Sequence, residues 1–317
     1  MLKKLLLPAI TLGLTLAISL PLTAQEDTPV FYWISHGSEA DPIWVLALSG
    51  ANQAAEDFGV EVRTSLHSND VASQQEAWAA AIAAGADGIA STSPDPGTLG
   101  ALIDEARAAG ISVVLFNSDD AATNREAYIG TNNVEVGRQW AQYLVDNGHV
   151  SEGDFVWMPV EVPGATYQVD ETMGIASVFD PLGITYEVFD AGYEQSTALD
   201  SMTTYLLANA DNVDAIIGLG DLVTGSMQRV FDQVGLAPGD IPVVGWGNSL
   251  DTANSVQQGY VQAGMWQYPN SQGYLAISLM LLAESGTPPA FDILTMSMYD
   301  ASTVDIYIPQ LEAAMGN

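Results

Sequence analysis

The sequence predicts an α/β protein with two doubly wound lobes, each a parallel sheet covered by helices. From residue 30 onward, short β-branched runs alternate with helical periods of apolar residues, and nearly every helix stops at a glycine. The run 112–116 lacks polar alternation, which is typical of a parallel strand buried on both faces. The length of 317 residues is sufficient for two domains.

The first half of the chain contains one set of strand–helix units. Its strands are predicted at 30–35, 60–65, 88–91, 112–116 and 127–130. The first helix places Leu48, Ala51, Ala55 and Phe58 on one face and stops at Gly59, which can adopt the left-handed conformation of a helix end. Two further helices are predicted at 72–84 and around the apolar stripe Leu99, Leu102, Ile103 and Ala106.

The same pattern then starts again after residue 130. A helix is marked by Val136, Trp140, Tyr143 and Leu144, and it closes at Gly148. Strands are predicted at 155–159, 184–189, 215–218 and 242–246, and helices at 167–182, 197–210 and 222–234. No Pro- or Ser-rich linker separates the two sets, so we expect two lobes joined closely through their sheet edges.

The first 24 residues predict a cleaved secretory signal. Lys3 and Lys4 form a basic head, an uncharged apolar run covers 5–22, and Ala24 supplies a small residue at the end. A retained membrane anchor is the alternative, but two prolines interrupt the run. We therefore expect an exported protein of the periplasm.

The net charge and the absence of cysteine restrict the habitat, the partners and the chemistry that we expect for this protein. Without the two lysines of the signal, the formal net charge of −32 becomes −34. Such repulsion is tolerable where salt screens it, which indicates a saline habitat, although an acidic exported protein selected for solubility has the same composition. Nucleic acid and anionic membranes are disfavoured partners. The absence of cysteine excludes disulfides, thiolate nucleophiles and a lipidated N-terminal cysteine.

Ligands of open parallel sheets bind beyond the carboxyl ends of the strands, so the residues that follow the predicted strands are the candidate site. Hydroxyls, amides, carboxylates and aromatic rings dominate this set, and such groups suit a polyhydroxy ligand. The candidate ligand-binding residues are Asp41, Trp44, Thr92, Asn117, Ser118, Glu171, Tyr193, Asp221, Asn248 and Gln267.

Other residues carry weaker signals. Trp33, Trp78, Trp140 and Trp157 lie within predicted strands and helices and are expected to pack in cores. Asp119 and Asp120 are expected to be solvated or to cap a helix, with Asp119 kept as a further candidate contact. His36 lies after the first strand, where it either reaches the cleft or makes structural hydrogen bonds.

No pattern indicates a metal, a cofactor or a catalytic triad. The three histidines, His36, His67 and His149, have no metal-ligand spacing, and Val223 stands where a dinucleotide fingerprint after Gly218 and Gly220 needs its third glycine. We expect a binding protein without cofactors rather than an enzyme. The enzyme alternative is an exported sugar-acting protein that uses Asp41 and Glu171 as a carboxylate pair.

Several segments together carry a family resemblance. They are DPIW at 41–44, GADGI at 85–89, GISVVLFN at 110–117, YIG at 128–130, VVGW at 243–246, QYP at 267–269 and QGY at 272–274. Over about 30–294 the chain resembles the periplasmic sugar-binding proteins of ABC importers, ribose-binding type.

The resemblance implies a hinge of three crossings near 131–133, 267–269 and 296–300. The lobes would then comprise 25–131 with 268–296, and 132–267 with 297–317. It also implies that Asp41 hydrogen-bonds sugar hydroxyls, that Trp44 stacks on the ring, and that Thr92, Asn117, Tyr193 and Gln267 occupy ligand-contacting positions. Ligand would close the cleft of a monomer, which an inner-membrane ABC permease then recognises.

The chain departs from this family pattern at four positions. Relatives commonly carry arginines at the positions of Ser118 and Glu171, and often an amide and a carboxylate at those of Gly220 and Gly247. A cleft without arginine that holds Asp41, Asp119, Glu171 and Asp221 would be unusually negative.

These departures leave the ligand open. A sugar or polyol leads, and a cation caged by Trp44, Tyr193 or Trp246 competes with it. A sensor that presents its ligand to a membrane receptor would use the same cleft. A cytoplasmic repressor is disfavoured, because the chain begins with an export signal and its charge has the wrong sign for DNA.

Overall fold

The computed structural model describes residues 28–38 and 42–314 and contains two six-stranded sheets. In spatial order, the first sheet contains β11 (Ile293–Leu294), β5 (Ala127–Gly130), β4 (Ser112–Asn117), β3 (Gly88–Ser91), β1 (Val30–Ser35) and β2 (Glu61–Leu66). The second contains β12 (Ser297–Asp300), β10 (Ala263–Trp266), β9 (Val243–Trp246), β8 (Ala215–Gly218), β6 (Phe155–Val160) and β7 (Thr185–Asp190). All neighbouring strands run parallel except β12, which is antiparallel to β10. The predicted fold class is confirmed.

Helices cover both faces of each sheet. The helices are α1 (Pro42–Phe58), α2 (Val71–Ala83), α3 (Gly100–Ala108), α4 (Asn133–Asp146), α5 (Thr166–Phe179), α6 (Gln195–Asn209), α7 (Asp221–Val234), α8 (Leu250–Gln257), α9 (Pro269–Glu284) and α10 (Ile308–Ala314). In the described part of the chain, no helix is both long and apolar enough to cross a bilayer.

Each sheet separates two apolar cores, as its sequence requires. Along β4, Val114 and Phe116 belong to one core and Val113 and Leu115 to the other, because successive side chains of a strand point to opposite faces. All four are buried in β4, a strand that is covered on both sides, which explains the absence of polar alternation. The two lobes meet at Leu46 of α1, which packs into the core of the second sheet.

The predicted packing role of the four tryptophans is confirmed. Trp33, Trp78, Trp140 and Trp157 are completely buried. Trp33 stacks on Phe116 with the ring centroids 4.8 Å apart, so it links β1 to β4 within the first core. Their area stabilises the fold rather than a ligand.

Some boundaries and elements differ from the sequence prediction. The helix expected at 167–182 ends as α5 at Phe179, and a 3₁₀ turn, Asp180–Leu182, follows where Pro181 interrupts the α-helical pattern. The strand expected at 184–189 is shifted to Thr185–Asp190. The helix stops predicted at Gly59 and Gly148 are left-handed, with φ of 67° and 68°.

Within the described residues, the chain passes between the two sheets three times. The passages are 131–132, between β5 and α4; 267–268, between β10 and α9; and 295–296, between β11 and β12. They lie at or beside the predicted hinge segments. The lobe boundaries and the hinge motion stay predictions.

Candidate functional site

A side-chain hydrogen bond joins the carboxyl ends of the two sheets. Asn117 is the last residue of β4 in the first sheet, and Gln267 directly follows β10 in the second. The amide Nδ2 of Asn117 donates to Oε1 of Gln267 at 3.0 Å. Two predicted ligand-binding residues from opposite lobes are therefore in direct contact.

Three further candidates extend this contact into a chain of hydrogen bonds. Ser118 Oγ donates to Oδ1 of Asn117 at 3.1 Å. On the other side, the backbone N–H of Gln267 donates to Oδ1 of Asn248 at 3.2 Å, and the N–H of Asn248 donates to Oδ1 of Asp221 at 2.7 Å. Five of the ten candidates thus form one continuous polar chain, which we call the interlobe chain.

Unusual backbone conformations position the centre of this chain. Asn117 and Tyr268 have φ of 61° and 54°, the left-handed region, which asparagine tolerates better than tyrosine. Tyr268 is held there by its hydroxyl, which lies 2.7 Å from Oγ of Ser297, and Pro269 starts α9 immediately afterwards. The carbonyl of Gln267 accepts a hydrogen bond from Nε2 of Gln272 at 2.8 Å.

Glu171 lies beside this region, completely buried. Close packing of α4 on α5 fixes its backbone, because a Cβ at Gly137 would meet the Glu171 carbonyl. Its Oε1 accepts a hydrogen bond from Nε1 of Trp246, the last residue of β9, at 2.9 Å. Its Oε2 has no hydrogen-bond partner among the described residues. Burial raises the pKa of Glu171 well above its ordinary value.

Glu161 is a half-buried acid outside the set of predicted candidates. It follows β6 directly, and its Oε1 accepts the N–H of Val223 at 3.3 Å, in the first turn of α7. Burial raises the pKa of Glu161 to about 7, and the neighbouring Asp221 acts in the same direction. The available signal was an acid at the first position after a strand, between Val160 and Val162.

The structure gives a physical reason for the two glycine departures. A Cβ at Gly220 would collide with the carboxylate of Glu161, and a Cβ at Gly247 would meet the ring of Tyr299. The hydroxyl of Tyr299 donates to the carbonyl of Gly247 at 2.9 Å. Side chains from elsewhere in the chain therefore fill the space at both positions.

Thr92 and Trp44 lie at the carboxyl end of the first sheet, where His36 joins them. The hydroxyl of Thr92 accepts the N–H of His36 at 2.9 Å and lies 2.8 Å from its Nδ1. Trp44 is buried with its ring edge-on to that of His36, 4.7 Å between centroids. Burial lowers the pKa of His36 to about 4, so the imidazole is neutral at physiological pH. His36 thus makes structural hydrogen bonds.

Asp119 is half-buried and ion-paired and Asp120 is buried, so neither is the freely solvated side chain that the sequence predicted. Arg125 forks onto Asp119, with Nε 2.5 Å from Oδ1 and Nη2 2.7 Å from Oδ2, and also reaches Asp292 at 2.7 Å. Asp120 is buried and accepts the N–H of Gly97 at 2.6 Å. The single charge of Arg125 is therefore shared between Asp119 and Asp292 and offsets the charge of Asp119 only in part.

Two of the ten candidate ligand-binding residues take no part in the contacts described above. Tyr193 is 73% exposed, just before α6, and stands apart from the interlobe chain. Asp41 lies outside the described residues, as does the predicted signal at 1–24. In the part of the chain that the structure describes, no group of three or more His, Cys, Asp or Glu side chains is arranged to hold a metal ion.

Comparison with known proteins decides the family. The model of the periplasmic binding protein domain matches residues 31–288. The chain belongs to the periplasmic binding protein family. This periplasmic binding protein is 22% identical to the ribose import binding protein RbsB of Bacillus subtilis over 237 residues, which cover 74% of this chain and 75% of that one.

Solved structures share the fold of this periplasmic binding protein. One is an ABC transporter solute-binding protein of Burkholderia graminis in complex with D-arabinose, with a TM-score of 0.77 and 23% identity over 87% of this chain and 96% of that one. Another is a carbohydrate transporter of Acidothermus cellulolyticus in complex with myo-inositol, with a TM-score of 0.78 and 21% identity over 90% and 99% of the two chains.

Proposed function

We propose that this periplasmic binding protein holds a small sugar or polyol between its two sheets and delivers it, chemically unaltered, to the permease of an ABC importer. The interlobe chain from Ser118 to Asp221 carries the proposal. It places amide, hydroxyl and carboxylate groups from both lobes at the carboxyl ends of the strands. Such groups exchange hydrogen bonds readily with ligand hydroxyls.

The relatives support this ligand class. The structures in complex with D-arabinose and myo-inositol hold a sugar and a cyclic polyol, and the Bacillus relative is named for ribose import. In this proposal the chain is exported by its N-terminal signal, acts as a monomer in the periplasm and performs no catalysis. The three passages between the sheets serve as the hinge, and closure around the ligand creates the surface that the permease recognises.

A ligand screen with recovery of the ligand tests the proposal. The purified protein is screened by thermal shift against sugars, polyols and small organic cations, and hits are titrated by calorimetry. A ligand at 100 times its Kd adds about 2.7 kcal/mol to the free energy of unfolding. We expect saturable binding of a polyhydroxy compound and its recovery unchanged. Recovery of a chemically altered compound would establish an enzyme instead, and the absence of any polyhydroxy ligand would refute the proposal.

A further inference from the structure

Two carboxyl groups, one half-buried and one completely buried, lie at the edge of the second sheet where its parallel strands end. Glu161 directly follows β6, and Glu171 is hydrogen-bonded to Trp246 at the end of β9. The strand between them is β8, whose carboxyl end leads into Asp221. The charge of Glu161 adds to the rise in the pKa of Glu171, so the two carboxyl groups lie within electrostatic range of one another. We call them the carboxyl pair.

The arginines of the chain are engaged elsewhere. Arg138 lies on α4, the helix packed against α5, but its guanidinium forks onto Glu135 at 2.5 and 2.7 Å. The other four are paired with acids outside the carboxyl pair: Arg63 with Glu61, Arg107 with Glu126, Arg125 with Asp119 and Asp292, and Arg229 with Asp251. Each arginine therefore balances an acid other than Glu161 or Glu171.

Glu171 has a carboxyl oxygen without a hydrogen-bond partner, which indicates a role in ligand binding. The side chain is completely buried, and Oε2 has no hydrogen-bond partner among the described residues, although Oε1 is bonded to Trp246. A buried polar atom without a partner costs about 1–3 kcal/mol, and more when it is charged. A cationic donor bound at Oε2 would remove that cost and supply the missing positive charge.

We propose that the carboxyl pair receives a protonated amine of the ligand, with Glu171 as the primary acceptor, so that the captured solute is an amino sugar or amino polyol. The proposal rests on the proposed function, because it takes the cleft as the solute site. In it, the interlobe chain binds the ligand hydroxyls, while Glu171 selects the amine. Glu171 is then the residue that determines specificity.

The protonation state of Glu171 makes the proposal measurable. Burial raises the pKa of Glu171 well above its ordinary value in the empty protein, which favours the protonated carboxyl. A bound ammonium group favours the ionised carboxyl, so a proton that leaves Glu171 on binding passes to the buffer while the ligand amine stays protonated. The charges that act on Glu171 are those of Glu161 after β6 and Asp170 of α5, and the pKa of Tyr167 on α5 is raised by Glu171 in turn. Asp221 of α7 acts on Glu161, and on α4, which packs against α5, Glu135 and Arg138 are paired with each other. None of them changes the direction of the coupling.

Calorimetry with matched ligand pairs tests the proposal. The probes are D-glucosamine against D-glucose, D-galactosamine against D-galactose, and 1-amino-1-deoxy-D-glucitol against D-glucitol. We expect at least one amine to bind ten times more tightly than its hydroxyl partner. Titration in two buffers with different ionisation enthalpies should show that binding of the amine releases protons, and the affinity should rise between pH 5 and pH 7.

Substitution of Glu171 gives the second arm. Glu171→Gln keeps the shape and the acceptor for Trp246 but cannot ionise, so the tenfold preference for the amine over its hydroxyl partner should disappear. Glu152→Gln is the matched control, because Glu152 is exposed in the loop before β6, at the opposite end of that strand. It should leave both affinities unchanged.

The outcomes separate this proposal from the proposed function. If the neutral sugars or polyols bind as tightly as the amines, the inference is wrong and the proposed function stands. If neither the amines nor the neutral compounds of the full ligand screen bind, both the inference and the proposed function are wrong. If Glu171→Gln does not unfold cooperatively, the buffer experiment on the unaltered protein decides: binding of an amine without proton release at any pH between 5 and 7 overturns the inference.

Discussion

The carboxylate of Glu161 occupies the space that a side chain at Gly220 would need. Gly220 has φ of −165° and ψ of 157°, an extended conformation open to any residue, so the glycine is required by space and not by backbone strain. The same carboxylate accepts the N–H of Val223 and so caps the start of α7. The space at position 220 is therefore filled by the side chain of Glu161, which lies 59 positions earlier in the chain.

Gly220→Asn tests this exchange of space. The new side chain would collide with Glu161, and overpacking of this kind lowers the free energy of unfolding by about 1–3 kcal/mol. The double variant Glu161→Ala/Gly220→Asn should recover part of that loss, because the first change vacates the space. Denaturant unfolding of both single variants and the double variant measures the coupling. Additive effects would contradict the spatial relationship.

The raised pKa of Glu161 predicts a dependence of stability on pH. Its folded pKa is about 7 against an ordinary value of 4.5, so between these values the folded state binds more protons than the unfolded state. Stability therefore falls as pH rises from about 4.5 to about 7, by on the order of 3 kcal/mol for this group. Glu161→Gln should flatten that slope in denaturant titrations at several pH values. An unchanged slope would assign the effect to other groups.

Gln267→Ala should weaken ligand binding tenfold or more. It removes the side-chain contact with Asn117 and leaves a polar group in the cleft without its partner, which costs about 1–3 kcal/mol. Gln53→Ala, on the exposed face of α1, is the control. Calorimetry with a ligand from the screen gives both affinities, and equal affinities would remove Gln267 from the site.

Trp44→Ala should affect both binding and stability. The ring is 6% exposed and packs in the first core, so its loss should lower the free energy of unfolding by about 3–5 kcal/mol. The lost ring should also weaken ligand binding by about 1–3 kcal/mol if it forms the predicted stacking surface. Trp44→Phe retains most of the packing and separates the two effects. Unaltered affinity in that variant and in Trp44→Ala would assign Trp44 to packing alone.

Added sodium chloride should raise the melting temperature. The chain carries 39 acids against seven basic residues, and the resulting repulsion is screened as the Debye length shortens. Melting curves recorded from about 0.05 to about 2 M sodium chloride, a range over which charge screening increases strongly, measure this shift in the melting temperature. A flat or falling response would remove the argument for a saline habitat.

The parallel strands were predictable because burial on both faces leaves a distinctive apolar run, as in β4 with Val113 to Phe116. Helix α9 was not predicted: it is buried against α1 and the sheet, and its apolar residues are spread around the helix rather than along one stripe. Short strands such as β11 depend on pairing with a distant partner, which no local pattern shows.

The candidate site was predictable where it depends on strand ends and not where it depends on distant pairs. Asn117, Asn248 and Gln267 each lie at or just beyond the carboxyl end of a strand, and the structure brings them together. Arg125 reaches Asp292 across 167 positions, and Tyr299 fills the space beside Gly247 across 52. Such contacts arise from tertiary packing. The sequence alone therefore could not show that Asp119 pairs with Arg125, or which side chains fill the space beside Gly220 and Gly247.

The bond between Asn117 and Gln267 has a consequence for selectivity. Each amide already has a partner at rest, so an arriving hydroxyl replaces one neutral hydrogen bond with another and the net enthalpy changes little. In the proposed site, discrimination among solutes must then come from atoms whose bonding improves on capture, and Oε2 of Glu171 is the candidate for such an atom. Under this proposal the amides determine which shapes are admitted, and the acid determines which of those are retained.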